Sequence, residues 1–159
     1  MIISRLSTSD IAGTQRWNAF VQGCPEATFF HRAEWQTIIR DVFRHPTHFL
    51  MAENNGEIEG ILPLAHVKSL LFGNSLIALP FSVYGGVAAN TPKAVAALEN
   101  EARKLAIQLG VDHLEFRNQN ARHPEWPTQN LYVTFTRCIP DILDEKMFCI
   151  PQKRRNMVR

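Results

Sequence analysis

The sequence has 159 residues, of which 45% are hydrophobic, and this length and composition predict one folded domain with its own apolar core. The formal net charge is +2, but four of the 17 basic residues lie in the last seven positions, which contain no acid. The rest of the chain is therefore slightly acidic, and the composition does not indicate a nucleic-acid-binding domain.

The cysteines and the N-terminus indicate in which cellular compartment the protein is expected. Cys24, Cys138 and Cys149 are odd in number and widely spaced, which argues against a disulfide framework and against a zinc site. None of the six histidines forms an i, i+4 pair, so no metal site is predicted. The first ten residues include Arg5 and Asp10 and lack the apolar core of a signal peptide. We therefore expect a reducing, cytoplasmic location.

In chain order, the first elements are a strand and two helices. Residues 2–6 are predicted to form the strand, and the helix that follows is predicted to be capped by Ser7 or Ser9. A second helix is predicted over residues 32–43, because apolar residues recur there with the spacing of one helix face. Trp35 lies on that face, which predicts a core position. The alternative is that its ring faces a ligand.

A run of strands follows. Residues 47–53 and 58–67 are predicted to form strands joined by a tight hairpin at Asn54-Asn55-Gly56, and residues 75–79 form the next strand. The stretch from residue 69 to residue 92 carries no charge, as a membrane span would. Glycine and proline interrupt it every few residues, whereas a membrane-spanning helix needs about 20 consecutive apolar residues. Buried strands of a sheet are therefore the prediction.

The segment after Pro80 is predicted to be a recognition loop, because proline ends the strand ladder. Its candidate substrate-binding residues are Ser82, Tyr84, Gly85 and Gly86. Two adjacent glycines allow the backbone to approach a ligand closely. The alternative is a tight turn that is filled by an aromatic side chain.

A helix and a strand come next. Thr91 and Pro92 are predicted to start the helix and Gly110 to end it, and residues 111–117 are predicted to form the strand. Arg117 is a further candidate for substrate binding, since a guanidinium group can grip a carboxylate or a phosphate with two hydrogen bonds. The alternative is an ion pair with its neighbour Glu115.

The last part of the chain is predicted to be a loop over residues 118–130, a strand over residues 131–139 and a basic helix that begins near residue 150. Lys153, Arg154 and Arg155 are candidates for binding an anionic phosphate at the N-terminus of that helix. The alternative is a solvated helix face. We expect the chain to end inside this helix.

Several motifs of well-known enzyme classes are missing. The sequence has no Gly-x-Ser-x-Gly elbow, no phosphate loop with Gly-Lys-Ser/Thr, no Gly-x-Gly-x-x-Gly and no His-Glu-x-x-His. Standard hydrolase, nucleotide-binding and zinc-protease functions are therefore not indicated. No catalytic residue can be assigned from these patterns.

The order of the predicted elements resembles the GNAT N-acetyltransferase fold. That fold implies an α/β (α+β) domain in which helices flank a mixed, mainly antiparallel sheet. Five segments between residues 29 and 159 also resemble the FemAB-like proteins associated with exosortase (PEP-CTERM) and exopolysaccharide systems. The segments are FFHRAEW, HFLMAENNGEIEGILPLAHVKSLLFGNSLIALPFSVYGGVAA, LGVDHLEFRN, HPEWPTQNLYVTF and IPQKRRNMVR.

The FemAB resemblance implies an acyl or aminoacyl transferase of the cell envelope or of exopolysaccharide biosynthesis, built from two GNAT-like domains in tandem. Residues 1–149 would be the N-terminal, acceptor-binding domain. Residues 150–159 would begin a basic helix that leads to a second, C-terminal domain. The wider Fem family transfers amino acids from aminoacyl-tRNA to peptidoglycan precursors, so the implied partners are an anionic acceptor and an aminoacyl-tRNA or another acyl donor.

Three differences from known family patterns bear on the acceptor and on the donor. Fem peptidyltransferases typically have an Arg-Gly-Pro-like turn where this chain has Tyr84-Gly85-Gly86, and no lysine follows Trp35 closely. A peptidoglycan-precursor acceptor is thereby disfavoured. The Arg/Gln-x-x-Gly-x-Gly/Ala loop that holds coenzyme A in acetyltransferases is also missing, so no cofactor is expected. The alternatives are a non-catalytic GNAT-like binding module and an acetyl-CoA-dependent N-acetyltransferase.

Overall fold

A computed structural model of the protein describes residues 1–69, 73–129 and 134–135. The chain divides into two compact units, Met1–Arg122 and His123–Arg159, and the helices and strands of the described residues belong to the first. In chain order they are β1 (Ile2–Arg5), α1 (Ile11–Gly23), a 3-10 helix (Phe29–His31), α2 (Glu34–Asp41), β2 (Thr47–Asn54), β3 (Glu57–Ser69), β4 (Gly73–Ala78), β5 (Ala88–Ala89), α3 (Pro92–Leu109) and β6 (His113–Glu115).

The six strands form one mixed sheet in the order β1-β2-β3-β4-β6, and the short β5 pairs with β3 beyond the end of β4. Every pairing is antiparallel except that of β4 with β6. The parallel pair arises because α3 carries the chain across the sheet between these two strands. The predicted class, a mainly antiparallel sheet flanked by helices, is confirmed.

Both faces of the sheet are covered by apolar side chains. On one face, Leu50 and Leu62 pack in a buried cluster with Leu98 of α3. On the other face, Phe49 and its strand neighbours pack in a second cluster with Trp17 of α1, whose ring stacks on Phe49 at a centroid distance of 5.2 Å. Each such buried side chain contributes about 1.5–3 kcal/mol. Strands that are buried on both faces lose the polar alternation, which explains the long apolar run in the sequence.

Local signals in the sequence set two of the element boundaries. Thr91 caps α3 by accepting a hydrogen bond from the Ala94 N–H at 3.2 Å, and Gly110 ends it in the left-handed conformation with φ 59°. In the β2–β3 hairpin, Asn55 and Gly56 adopt positive φ angles of 51° and 86°. These parts of the prediction are confirmed.

Other boundaries differ from the prediction. Asp10, rather than Ser7 or Ser9, caps α1, because its carboxylate accepts a hydrogen bond from the Gly13 N–H at 2.8 Å. The second helix is shorter than predicted. It begins at Glu34 and ends at Asp41. A 3-10 helix over Phe29–His31, which Thr28 caps through the Phe30 N–H, precedes it.

Some predictions fall outside the described residues. They are most of the strand over residues 131–139, the basic helix over residues 150–159 with Lys153, Arg154 and Arg155, and the domain boundary after residue 149. These remain predictions. Among the helices that the structure describes, none has the length and apolar character needed to cross a membrane.

Candidate functional site

A cleft of about 290 Å³ lies in the first compact unit, beside the loop that follows β4. Three parts of the chain form its walls: the segment from the end of α1 to the 3-10 helix, the loop of residues 79–87, and the segment after β6. The lining residues are Pro25, Glu26, His31, Tyr84, Gly86, Val87, Arg117, Asn118, Gln119, Asn120 and Arg122. Three residues of the predicted substrate-binding set, Tyr84, Gly86 and Arg117, are among them.

The loop of residues 79–87 leaves the sheet through an unusual backbone path. β4 and β6 pair only as far as Ile77 and Glu115. Leu79 and Phe81 then have φ angles of 49° and 69°, in the left-handed region that residues other than glycine rarely adopt. Each costs about 1–3 kcal/mol, and such strain is concentrated at ligand-binding and active sites. The strain is therefore an independent reason to consider this loop a functional one.

Gly85 and Gly86 let the loop pack directly against the end of β6. Both of their N–H groups donate to the carbonyl oxygen of Arg117, each at 3.1 Å. A Cβ atom at Gly85 would lie 2.3 Å from the Cβ of Leu79, and one at Gly86 would lie 1.9 Å from Oδ1 of Asn118. The two glycines are thus required for close packing, as the tight-turn alternative predicts, and Gly86 also lines the cleft.

Ser82 and Tyr84 have different positions in the loop. Ser82 is buried, and its hydroxyl donates to the carbonyl oxygen of Leu79 at 2.8 Å. Its own carbonyl oxygen accepts a hydrogen bond from Arg117 Nη1 at 2.7 Å. Tyr84 lines the cleft. Ser82 therefore holds the loop together. Tyr84 borders the cleft, and its role in ligand binding stays a prediction.

Arg117 joins the loop to the end of β6. Its Nε donates to Oε1 of Glu115 at 2.7 Å, so the predicted ion pair between neighbours is present. The side chain is 29% exposed, and its Nη2 donates to no other residue in the part of the chain that the structure describes. The ion pair with Glu115 is therefore compatible with ligand binding by Arg117. Glu115 and the Ser82 carbonyl oxygen orient the guanidinium group, and its Nη2 is left to contact a ligand.

A second ion pair joins two of these wall segments. Arg122 Nη2 donates to Oε2 of Glu26 at 2.7 Å and to the carbonyl oxygen of Val87 at 3.2 Å. The same Glu26 oxygen accepts the Ala89 N–H at 3.1 Å. These contacts tie the segment after α1 and the segment after β6 to Val87 and Ala89, at the end of the loop of residues 79–87.

His31 is buried in the wall of the cleft with both ring nitrogens hydrogen-bonded. The Thr28 N–H donates to Nδ1 at 3.0 Å, so the ring proton must lie on Nε2, which donates to the carbonyl oxygen of Gly86 at 2.9 Å. Burial lowers the pKa of His31 below its usual value, and its hydrogen bonds and Glu26 oppose that shift only in part. His31 is therefore neutral at pH 7 and connects the 3-10 helix to the glycine loop.

Trp35 lies away from the cleft. Its ring makes edge contacts with Phe29 at 6.2 Å and packs against Phe30 at 5.9 Å between ring centroids. It is one of the partly buried side chains on the Trp17 cluster. Trp35 thus packs, partly buried, against the core on the side that its helical spacing indicates, and it does not line the cleft.

Sequence reasoning did not single out His31, Glu26, Asn118 or Arg122. Each reaches the cleft through contacts with residues far away in the chain, such as His31 with Gly86 and Arg122 with Glu26. No local motif marks such pairs. Among the described residues, no group of three or more histidine, cysteine, aspartate or glutamate side chains could hold a metal ion.

Comparisons with known proteins define the class of fold. No protein-family model and no curated protein matches this sequence. Solved structures do match, although their sequences differ widely. A ribosomal-protein-alanine N-acetyltransferase from Brucella melitensis matches with a TM-score of 0.55 at 11% identity, over 87% of this chain and 100% of that one.

Two further structures agree with this match. An aminoglycoside 6'-N-acetyltransferase from Acinetobacter haemolyticus matches with a TM-score of 0.54 at 12% identity, over 88% of this chain and 100% of that one. A GNAT family acetyltransferase from Staphylococcus aureus matches with a TM-score of 0.52 at 12% identity, over 89% and 98%. At such identities the likeness concerns the fold, and this chain has a GNAT-like fold.

Proposed function

We propose that this chain is the acceptor-binding domain of an acyltransferase-type protein, and that the cleft beside residues 79–87 holds the acceptor. The GNAT-like fold supports an acyltransferase-type function. The observation that carries the proposal is that the backbone N–H groups of Gly85 and Gly86 are already hydrogen-bonded within the protein. Gly85 and Gly86 both donate to the Arg117 carbonyl oxygen, so these amides are not free to hold a donor pyrophosphate. Open side-chain groups line the cleft instead.

The finer part of the proposal rests on the sequence resemblance. We assign the chain to a cytoplasmic FemAB-like protein of cell-envelope or exopolysaccharide biosynthesis, in which a second GNAT-like domain follows this one. An aminoacyl-tRNA or another acyl donor would bind in the complete protein. The resemblance over residues 29–159 supports this assignment.

The residues of the cleft suit binding and orientation of an acceptor. Transfer requires an acceptor amine to attack an activated acyl group, and fixed geometry alone can supply several kcal/mol of the required rate enhancement. His31 is not placed to act as a general base, because Nδ1 accepts the Thr28 N–H and Nε2 donates to Gly86. The role of these residues is therefore positioning, and no catalytic base is assigned.

The second candidate is an acetyl-CoA-dependent N-acetyltransferase. The names of the matching solved structures favour this candidate. Two of them are named as N-acetyltransferases of aminoglycosides and of ribosomal-protein alanine. A third candidate is a non-catalytic module, in which Tyr84 and the basic residues near the C-terminus recognise a partner. The three candidates differ in donor binding and in turnover.

Calorimetry with acetyl-CoA and an acyl-transfer assay on the purified 159-residue chain separate these candidates. We expect no saturable heat with acetyl-CoA and no transfer by this chain alone, and we expect a second GNAT-like domain to be encoded after Arg159. Saturable acetyl-CoA binding with turnover would establish the acetyltransferase candidate instead. Absence of a downstream domain, together with absence of turnover, would favour the non-catalytic module.

A further inference from the structure

The hydrogen bonds in the walls of the cleft indicate what kind of ligand it accepts. Several acceptors in its wall already have protein donors. The carbonyl oxygen of Gly86 accepts from His31, that of Val87 from Arg122, and that of Arg117 from Gly85 and Gly86. Oε2 of Glu26 accepts from both Arg122 and Ala89.

Three side chains of the wall have N–H groups that donate to no other described residue. In the part of the chain that the structure describes, Arg117 donates through Nε and Nη1 but not through Nη2. Arg122 donates through Nη2 alone, which leaves its Nε and Nη1. Asn118 uses its amide oxygen to accept the Val87 N–H at 3.3 Å, so its NH₂ group remains. The unfilled capacity of these three side chains consists of N–H donors.

The two arginines are also fixed in place before any ligand arrives. Arg117 is held by Glu115 and the Ser82 carbonyl oxygen, and its side chain is 29% exposed. Arg122 is held by Glu26 and the Val87 carbonyl oxygen, and its side chain is 25% exposed. An arginine that is already oriented loses little conformational entropy on binding, and its planar fork matches the oxygens of a carboxylate or a phosphate.

From this arrangement we infer that the cleft binds an anionic oxygen group, a carboxylate or a phosphate, through Arg117 and Arg122 with the Asn118 amide beside them. The inference rests on the proposed function, since it names the part of the acceptor that the cleft holds. His31 is neutral there, and the carboxylates that face the site, Glu26 and Glu115, are each engaged by an arginine.

The test is an NMR titration of the full 159-residue chain with three probes, namely inorganic phosphate, acetate and glucose, at constant ionic strength. We expect saturable shifts of the Gly85, Gly86 and Asn118 backbone amides with phosphate or acetate, and none with glucose. The tighter of the two anions identifies the ligand group. The inference would be overturned if only glucose gave saturable shifts, or if none of the three probes did. The acetyl-CoA and transfer assays test the proposed function separately.

Variants locate the binding. Arg117→Gln and Arg122→Gln should each weaken the anion affinity by about tenfold, the typical effect of losing a charge-assisted hydrogen bond. Arg40→Gln is the matched control, because Arg40 also pairs with a neighbouring acid, Asp41, at 42% exposure and does not line the cleft. Equal affinity in all three variants would overturn the inference.

Two further outcomes bear on the inference. If anion shifts appear only at Lys153, Arg154 and Arg155, the cleft is not the site and the inference fails. If Arg117→Gln does not fold, the wild-type shifts and the Arg122→Gln affinity decide the question.

Discussion

Replacing Gly86 by alanine tests whether the glycine loop depends on close packing against Asn118. The added Cβ would lie 1.9 Å from Oδ1 and 2.9 Å from Cγ of Asn118. Gly86 does not have a positive φ angle, so space rather than backbone conformation limits the substitution. The Asn118 side chain must move by roughly 1 Å or more to restore ordinary contact, and it then loses its hydrogen bond with the Val87 N–H.

We expect Gly86→Ala to lower the free energy of unfolding by about 1–3 kcal/mol, the usual cost of overpacking. Asn118→Ala alone removes a long hydrogen bond and should cost about 0.5–1.5 kcal/mol. In the Asn118→Ala background both clashing side-chain atoms are absent, and only the backbone nitrogen of Asn118 stays close, at 3.0 Å. The cost of Gly86→Ala should therefore fall there by about 1 kcal/mol, as coupling between residues in contact predicts.

The assay is urea unfolding followed by tryptophan fluorescence, with Trp17 as a fully buried reporter. Gly23→Ala is the control, because a Cβ at Gly23 meets no atom within 4 Å. It should be neutral or stabilise the protein by about 0.4–1 kcal/mol. A Gly86→Ala midpoint equal to that of the wild type, or the same cost in both backgrounds, would refute the packing argument.

Two further predictions concern stability. Burial lowers the pKa of both His31 and His48, so the unfolded chain binds protons more readily; stability is full above about pH 6.5 and falls as the pH drops below it. Urea unfolding from pH 7.5 to 5.5 should show this loss, with a smaller slope in His31→Gln, and an unchanged slope would contradict it. Thr91→Ala should cost about 1 kcal/mol, because the hydroxyl accepts the Ala94 N–H and donates to Glu59 at 3.0 Å. Thr91→Ser should retain most of the stability in the same assay, and equal losses in both variants would argue against the capping role.

Short-range signals in the sequence were sufficient for much of the fold. A capping threonine with a proline beside it and a terminal glycine bound α3, and Asn55-Gly56 forms the β2–β3 turn, because each depends on backbone angles and hydrogen bonds within a few residues. The apolar run with its glycine and proline interruptions indicated buried strands of a sheet, and the sheet, which is covered on both faces, bears this out. Two adjacent glycines in the sequence also indicated a close backbone approach, and Gly85 and Gly86 pack against the end of β6. Ligand binding by this loop stays a prediction.

The tertiary structure alone decided which side chains meet at the cleft. His31 contacts Gly86 across 55 positions of the chain, and Arg122 contacts Glu26 across 96. It also showed that Ser82 holds the loop from within. Periodicity and capping report on neighbours within one or two turns, whereas these contacts arise only after the helices have packed on the sheet. The parallel pairing of β4 with β6 then brings Arg117 beside Gly85 and Gly86, which lie about 30 positions earlier in the chain.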